Sequence, residues 1–288
     1  MTEHSFQRIR IAASPSIPYS QVNNDRKQAP AWLENAWRLL AFPLILLFCV
    51  PIVTLFTRIS PSSLLRNLAE PSVLQAIAVS LKTTTLSLGL ILMFGTPLAY
   101  LLGRYQFRHK KLLDTLIDLP TVLPPSVAGI ALLITLGRRG WIGSWLDSLG
   151  IETAFTMSAV IIAQIFIAAP FYVRAAALGF ASVDLEIEQA AQLDGASRWQ
   201  VFQYVVLPLS RSSMLSGGMM SWSRALGEFG ATMIFAGNFA GRTQTMASAI
   251  YLGFESNMET ALTLAVILVV ISFLCLLCIK IVVPREIV

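Results

Sequence analysis

Hydrophobic and polar residues alternate along this chain in long blocks. Apolar runs cover residues 39–57, 83–102, about 112–136, 157–179, 212–236 and 260–283. Each is close to the ~20 residues that an α-helix needs to cross a bilayer core of about 30 Å. The pattern predicts an all-α, polytopic helical membrane protein with six transmembrane helices. Two runs are irregular. The third contains DLPTVLPPSVAGIALL, with Pro120, Pro124, Pro125 and Gly129. A regular helix does not hold those prolines, so a broken or strongly bent span is expected, of the kind that lines a cavity. The fifth reads SSMLSGGMMSWSRALGEFGATMIFA and carries Arg224 and Glu228. Four residues apart, they share one helix face and can pair. Charges inside a span cost roughly 2.5–3.5 kcal/mol each, so these should face a cavity or each other. Either the helix lines the path or the pair locks two helices together. Gly217, Gly218, Gly227 and Gly230 leave room for close helix contact.

The segments between the runs are polar. Residues 1–36 hold prolines at 15, 18 and 30 without apolar periodicity, and read as a flexible tail ahead of a six-helix transmembrane domain at 37–288. Residues 59–80 suggest an interfacial helix and a lead-in to the second span. The 103–111 segment, GRYQFRHKK, holds Arg104, Arg108, Lys110 and Lys111 and should face the cytoplasm. Counting crossings from there puts both termini inside and the 137–156 and 237–259 loops outside. Arg174, near the inner end of the fourth run, is expected to snorkel to the headgroups.

The most distinctive polar stretch is 184–208, DLEIEQAAQLDGASRWQVFQYVVLP. Helix formers fill 186–193, Gly195 should stop that helix, and Ser197 can cap a second one. Pro208 is expected to mark the second helix's end. Two short helices joined at a glycine form a compact protrusion suited to docking in a cleft of another protein.

Composition fits this picture. The 288 residues are 55% hydrophobic and 13% charged, with a mean hydropathy of +0.68. A soluble domain carries about 25% charged residues. The net charge of +5 is modest and points to cytoplasmic loops rather than to nucleic acid. Cys49, Cys275 and Cys278 all lie in apolar runs, so the C-x-x-C at 275–278 reads as packing, not as redox chemistry or a metal site.

The 184–208 stretch resembles the coupling loop of bacterial ABC importer permeases, E-A-A, three residues, G, nine residues, I-x-L-P. Gln189, Ala190 and Ala191 are followed by Gly195, Val205, Leu207 and Pro208, with Glu188 adjacent. Gln189 stands where Glu is usual and Val205 where Ile is usual. The run RALGEFGATMIFAGN, then GRTQTMASAIY, with LPPSVAG at 123–129, is similar to permeases for tetrahedral oxyanions, above all the molybdate/tungstate group. The resemblance covers roughly residues 73–283. It implies a MetI-like ABC importer permease core, a gate on the pathway, and a place in a bacterial or archaeal cytoplasmic membrane. It further implies as partners two ABC ATPase subunits, a second permease subunit in a homodimer, an external substrate-binding protein and membrane lipid. Pro124, Ser126, Arg224, Glu228 and Thr232 are the expected pathway or gate residues. Sulfate, thiosulfate or another small solute is the alternative cargo.

The residues also argue against an enzyme. A Walker-type nucleotide site needs Gly-Lys before Ser or Thr. None of Lys27, Lys82, Lys110, Lys111 and Lys280 follows a glycine. The histidines, His4 and His109, lie in the tail and a loop, and neither H-E-x-x-H nor G-x-S-x-G occurs. No catalytic residue, metal site or cofactor is expected, and the energy source must come from a partner.

Overall fold

The computed structural model describes residues 31–282. Most of the expected tail, residues 1–30, lies outside the described residues, as does the end of the chain from 283 on. All regular structure among the described residues is helical. The chain divides into two units between Thr54 and Leu55.

The first unit is formed by most of α1 (Ala31–Thr57), which starts within the segment expected to be tail. Pro43 and Pro51 sit inside this helix without ending it. Its apolar window, Asn35–Thr57, has no buried residue, as suits a helix whose solvent is lipid.

The second unit holds the remaining helices. They are α2 (Pro61–Leu68), α3 (Pro71–Arg104), α4 (Lys110–Val122), α5 (Pro125–Leu136), α6 (Gly143–Ser148) and α7 (Met157–Ala181). Then follow α8 (Leu185–Leu193), α9 (Arg198–Val201), α10 (Leu207–Leu226), α11 (Gly230–Phe235), α12 (Met246–Ser256) and α13 (Met258–Val282). The second span thus begins at Pro71, well before Thr83, and α12 occupies much of the segment expected to be an outer loop. Thr245 caps α12 by accepting a hydrogen bond from the Ser248 amide.

α7 is the centre, packed between α3 and α10. Lipid tails are as apolar as leucine, so apolar burial alone does not hold such helices together; close packing and interhelical hydrogen bonds do. Small residues line the buried side of α7, among them Ala159, Ala163, Ala168, Ala176 and Gly179. Gln164 donates to Thr83 Oγ1 at 3.2 Å and accepts from Ser87 at 2.9 Å, joining α7 to α3. Ser221 donates to the Ala168 carbonyl at 2.8 Å and Ser210 to that of Gly179 at 3.0 Å, joining α7 to α10. A Cβ on Gly217 would sit 2.6 Å from Ala175 Cβ, so this helix pair depends on a missing side chain.

Four helices among the described residues are long and apolar enough to cross a membrane, within α1, α3, α7 and α13. The pair α4 and α5, bent by 115°, makes a fifth if the two halves count as one span. The break falls at Leu123 and Pro124, where the prolines predicted it. The expected fifth run is also broken. α10 ends at Leu226, and α11 starts after residues 227–229.

Pro208 does not end the helix that begins at Arg198. A π-helical turn, Phe202–Val206, joins α9 to α10, with the Leu207 amide bonded to the Phe202 carbonyl. A proline inside an α-helix removes one bond and clashes with the carbonyl four residues back. The wider π turn absorbs that misfit, and the helix runs on.

Candidate functional site

Two places gather the residues singled out in the sequence. The first is the protrusion α8–α9. Asp184 caps α8 through the Glu186 amide, and Gly195 turns the chain at φ +92°. No atom would lie within 4 Å of a Cβ there, so the glycine is required by its backbone angle alone. Ser197 and Gln200 form a capping box at the start of α9. α8 and the start of α9 appear where the sequence put them, whereas the end expected at Pro208 does not.

The protrusion has two faces. Leu185, Ile187, Gln189, Ala190, Leu193 and Trp199 are exposed. Leu193 is 88% exposed and Trp199 68%, which is unusual for large apolar side chains on a polar segment. Ala191, Ala196 and Val205 pack against the core formed by Phe180, Val183, Val201 and Val206. Leu207 is half-buried and Pro208 exposed. Glu188 turns inward and pairs with Arg104, at the end of α3.

The second place is the break between α10 and α11, which lies against the break between α4 and α5. A Cβ on Gly230 would be 2.7 Å from Pro125 Cβ and 3.4 Å from the Ser126 amide nitrogen. The two short helices thus start side by side. Glu228 is 1% exposed. Its Oε2 accepts from Arg224 Nη1 at 3.1 Å, and its Oε1 accepts from the Ala231 amide at 2.8 Å. The carboxylate thus satisfies an amide in the first turn of α11, which the helix itself leaves without a partner. Pro124 and Ser126 are exposed beside it, whereas Thr232 is buried with its hydroxyl unpaired among the described residues. The geometry brings Ser126, Arg224 and Glu228 to one region, at the paired helix starts.

Arg174, expected to snorkel, is held by two carboxylates of α4. Its Nε and Nη2 donate to the two carboxylate oxygens of Asp118 at 2.6 Å each. Nη1 donates to Asp114 Oδ1 at 2.7 Å and Nη2 to the Asp114 carbonyl at 2.8 Å. A guanidinium fork satisfied on both prongs gains more from two carboxylates than from headgroup water. Asp114 and Asp118 are four apart and share one face of α4, so both carboxylates reach one guanidinium. Arg104 was read only as a cytoplasmic charge, and nothing in its spacing from Glu188 announces their contact.

The family of binding-protein-dependent transport system inner membrane components matches residues 95–288. The molybdenum transport system permease protein ModB of Escherichia coli (strain K12) is 41% identical over 206 residues, covering 69% of this chain and 90% of that protein. The probable sulfate transport system permease protein cysT of Anthoceros angustus is 34% identical over 249 residues, covering 84% and 86%. Among solved structures, a chain of a bacterial ABC transporter involved in the import of alginate aligns with a TM-score of 0.67 at 18% identity, covering 88% of this chain and 96% of its own. That last likeness speaks for the fold.

Proposed function

The chain belongs to the family of binding-protein-dependent transport system inner membrane components, and on that premise we propose that it is the permease subunit of an ATP-driven molybdate or tungstate importer. The observation that carries the importer reading is the α8–α9 protrusion. It presents Leu193 and Trp199 to the outside of the molecule, as a segment does when another protein covers it. The partner is a pair of ABC ATPases, and Gln189, Ala190, Gly195 and Leu193 form the docking face. One protrusion per chain and two nucleotide sites per motor imply two permease subunits, a homodimer by family resemblance. An external binding protein delivers the anion. The cargo rests on the molybdenum permease relative at 41% identity; the sulfate permease relative, at 34%, supplies the alternative.

Six crossings account for the chain: α1, α3, the bent pair α4–α5, α7, the pair α10–α11, and α13. The basic 103–111 segment supports a cytoplasmic side for both termini. ATP-driven closure of the ATPases draws the two protrusions together. α9 is continuous with α10, so the motion reaches the break at Glu228 along a single helical rod. With the start of α11 occupied by Glu228, the anion is not held tightly there and can leave.

Reconstitution of permease, ATPase and loaded binding protein in liposomes tests this reading. ATP-dependent uptake of molybdate or tungstate, at least tenfold over sulfate, is expected. Uptake of sulfate alone would replace the cargo, and no ATP-dependent uptake of any oxyanion would end the importer reading.

A further inference from the structure

α8 has no fully buried residue. Among the described residues, its one polar link to the helices behind it is Glu188. That carboxylate pairs with Arg104, the last residue of α3. The pair is enclosed, with side chains 9% and 14% exposed. The same guanidinium donates through Nη1 to the Val183 carbonyl at 2.9 Å, in the turn that follows α7. One arginine thus ties together the end of α3, the end of α7 and the first helix of the protrusion. Glu188 and Ala191, three residues apart, share the inner face of α8. The rest of the helix is left for a partner.

From this geometry we infer that Glu188 is a positioning residue. It acts through Arg104 and fixes the angle of α8 against the membrane helices, and it does not touch the ATPase. This rests on the reading of α8–α9 as the coupling protrusion. A helix pushed by a motor passes on its displacement only if it does not pivot on its own attachment. The Gly195 turn, closed by the Ala196 amide on the Ala191 carbonyl at 3.0 Å, ties α8 to α9 and not to α3 or α7. The packing of Ala191 is a small contact. The enclosed ion pair is the element that resists rotation, and arginine, always charged and forked, suits it better than lysine. Without the pair, the ATPase still docks on the exposed face and still hydrolyses ATP, but the stroke is spent on tilting α8.

Two measurements test this. The first needs no cargo: amide hydrogen exchange of the whole permease in detergent. Glu188→Gln should speed exchange across 188–194 at least tenfold while α3 and α7 keep their protection, and Arg104→Lys should fall between it and the unaltered protein. The second uses the reconstituted complex. Glu188→Gln should keep co-purifying with the ATPase and keep hydrolysing ATP, yet consume at least threefold more ATP per anion imported. Unchanged exchange in α8 overturns the inference, and so does faster exchange with an unchanged ATP-to-anion ratio. Loss of the ATPase from a variant with normal exchange also overturns it, because Glu188 would then be a docking residue. If the unaltered complex imports nothing, the importer reading fails by itself; the exchange result then decides whether Glu188 positions α8.

Discussion

Arg224 and Glu228 offer a quantitative test of how the α10–α11 break is held. The two partners are not equivalent, because Glu228 is 1% exposed and Arg224 33%. Arg224→Gln leaves a carboxylate enclosed with a single amide donor, that of Ala231. Stranding one member of a buried pair costs about 3–5 kcal/mol. Glu228→Gln is milder. The glutamine oxygen still accepts from the Ala231 amide, and the partly exposed guanidinium can turn to water, so the loss should be that of one charged hydrogen bond, about 1.5–3 kcal/mol. The double variant strands nothing and should lose less than the sum of the singles, with an interaction energy toward the upper end of the usual 0.5–3 kcal/mol range. Unfolding in mixed micelles, read as free energy for all four proteins, measures this. The expected order of loss is Arg224→Gln, then Glu228→Gln, with the double variant below their sum. Additivity within about 0.5 kcal/mol would refute the pairing. A greater loss for Glu228→Gln than for Arg224→Gln would refute the argument from burial.

Other outcomes follow from the same geometry. Gly195→Val should cost about 1–2 kcal/mol locally through its positive φ and should abolish stimulation of the ATPase by loaded binding protein; Gly195→Asn, more tolerant of that angle, should keep part of it. Arg174→Lys loses the fork on Asp118 and should lower stability by about 1.5–3 kcal/mol, read in the same micelle assay, whereas an unchanged value would mean the carboxylates find other partners. A cysteine at Gln106 should react with an impermeant thiol reagent only from the cytoplasm and one at Ser148 only from outside, and the opposite labelling would overturn the count of crossings.

What the sequence disclosed, and what it hid, follows from how far each signal reaches. The α8–α9 pair was legible because its caps are local: Asp184, Gly195 and Ser197 each act within three residues of their own position. The bend at Pro124 was legible for the same reason. Pro208 misled because a proline's local preference was overridden by one turn of π-helix, which a period of 3.6 does not announce. Glu228 was expected to pair with Arg224, but its second bond, to the Ala231 amide, depends on the chain breaking at Gly227. Arg104 with Glu188, and Arg174 with Asp114 and Asp118, join positions more than fifty residues apart. Such contacts are set by how α3, α4 and α7 pack, and single-sequence patterns do not carry that information.

The π turn at Phe202–Val206 also bears on how this chain could change in length. In a helix of 3.6 residues per turn, one residue corresponds to a rotation of about 100°. The π turn holds about one residue more than an α-helical turn, and takes up that surplus in the wider ring closed by the Leu207 amide on the Phe202 carbonyl. Deleting one residue of it would leave an ordinary α-helix with every downstream side chain pointing nearly where it did. Gly217 would stay against Ala175, and Ser221 on the Ala168 carbonyl. A deletion within the regular part of α10 would instead swing everything beyond it by about 100°, so the π turn is a place where this helix can shorten and keep its faces.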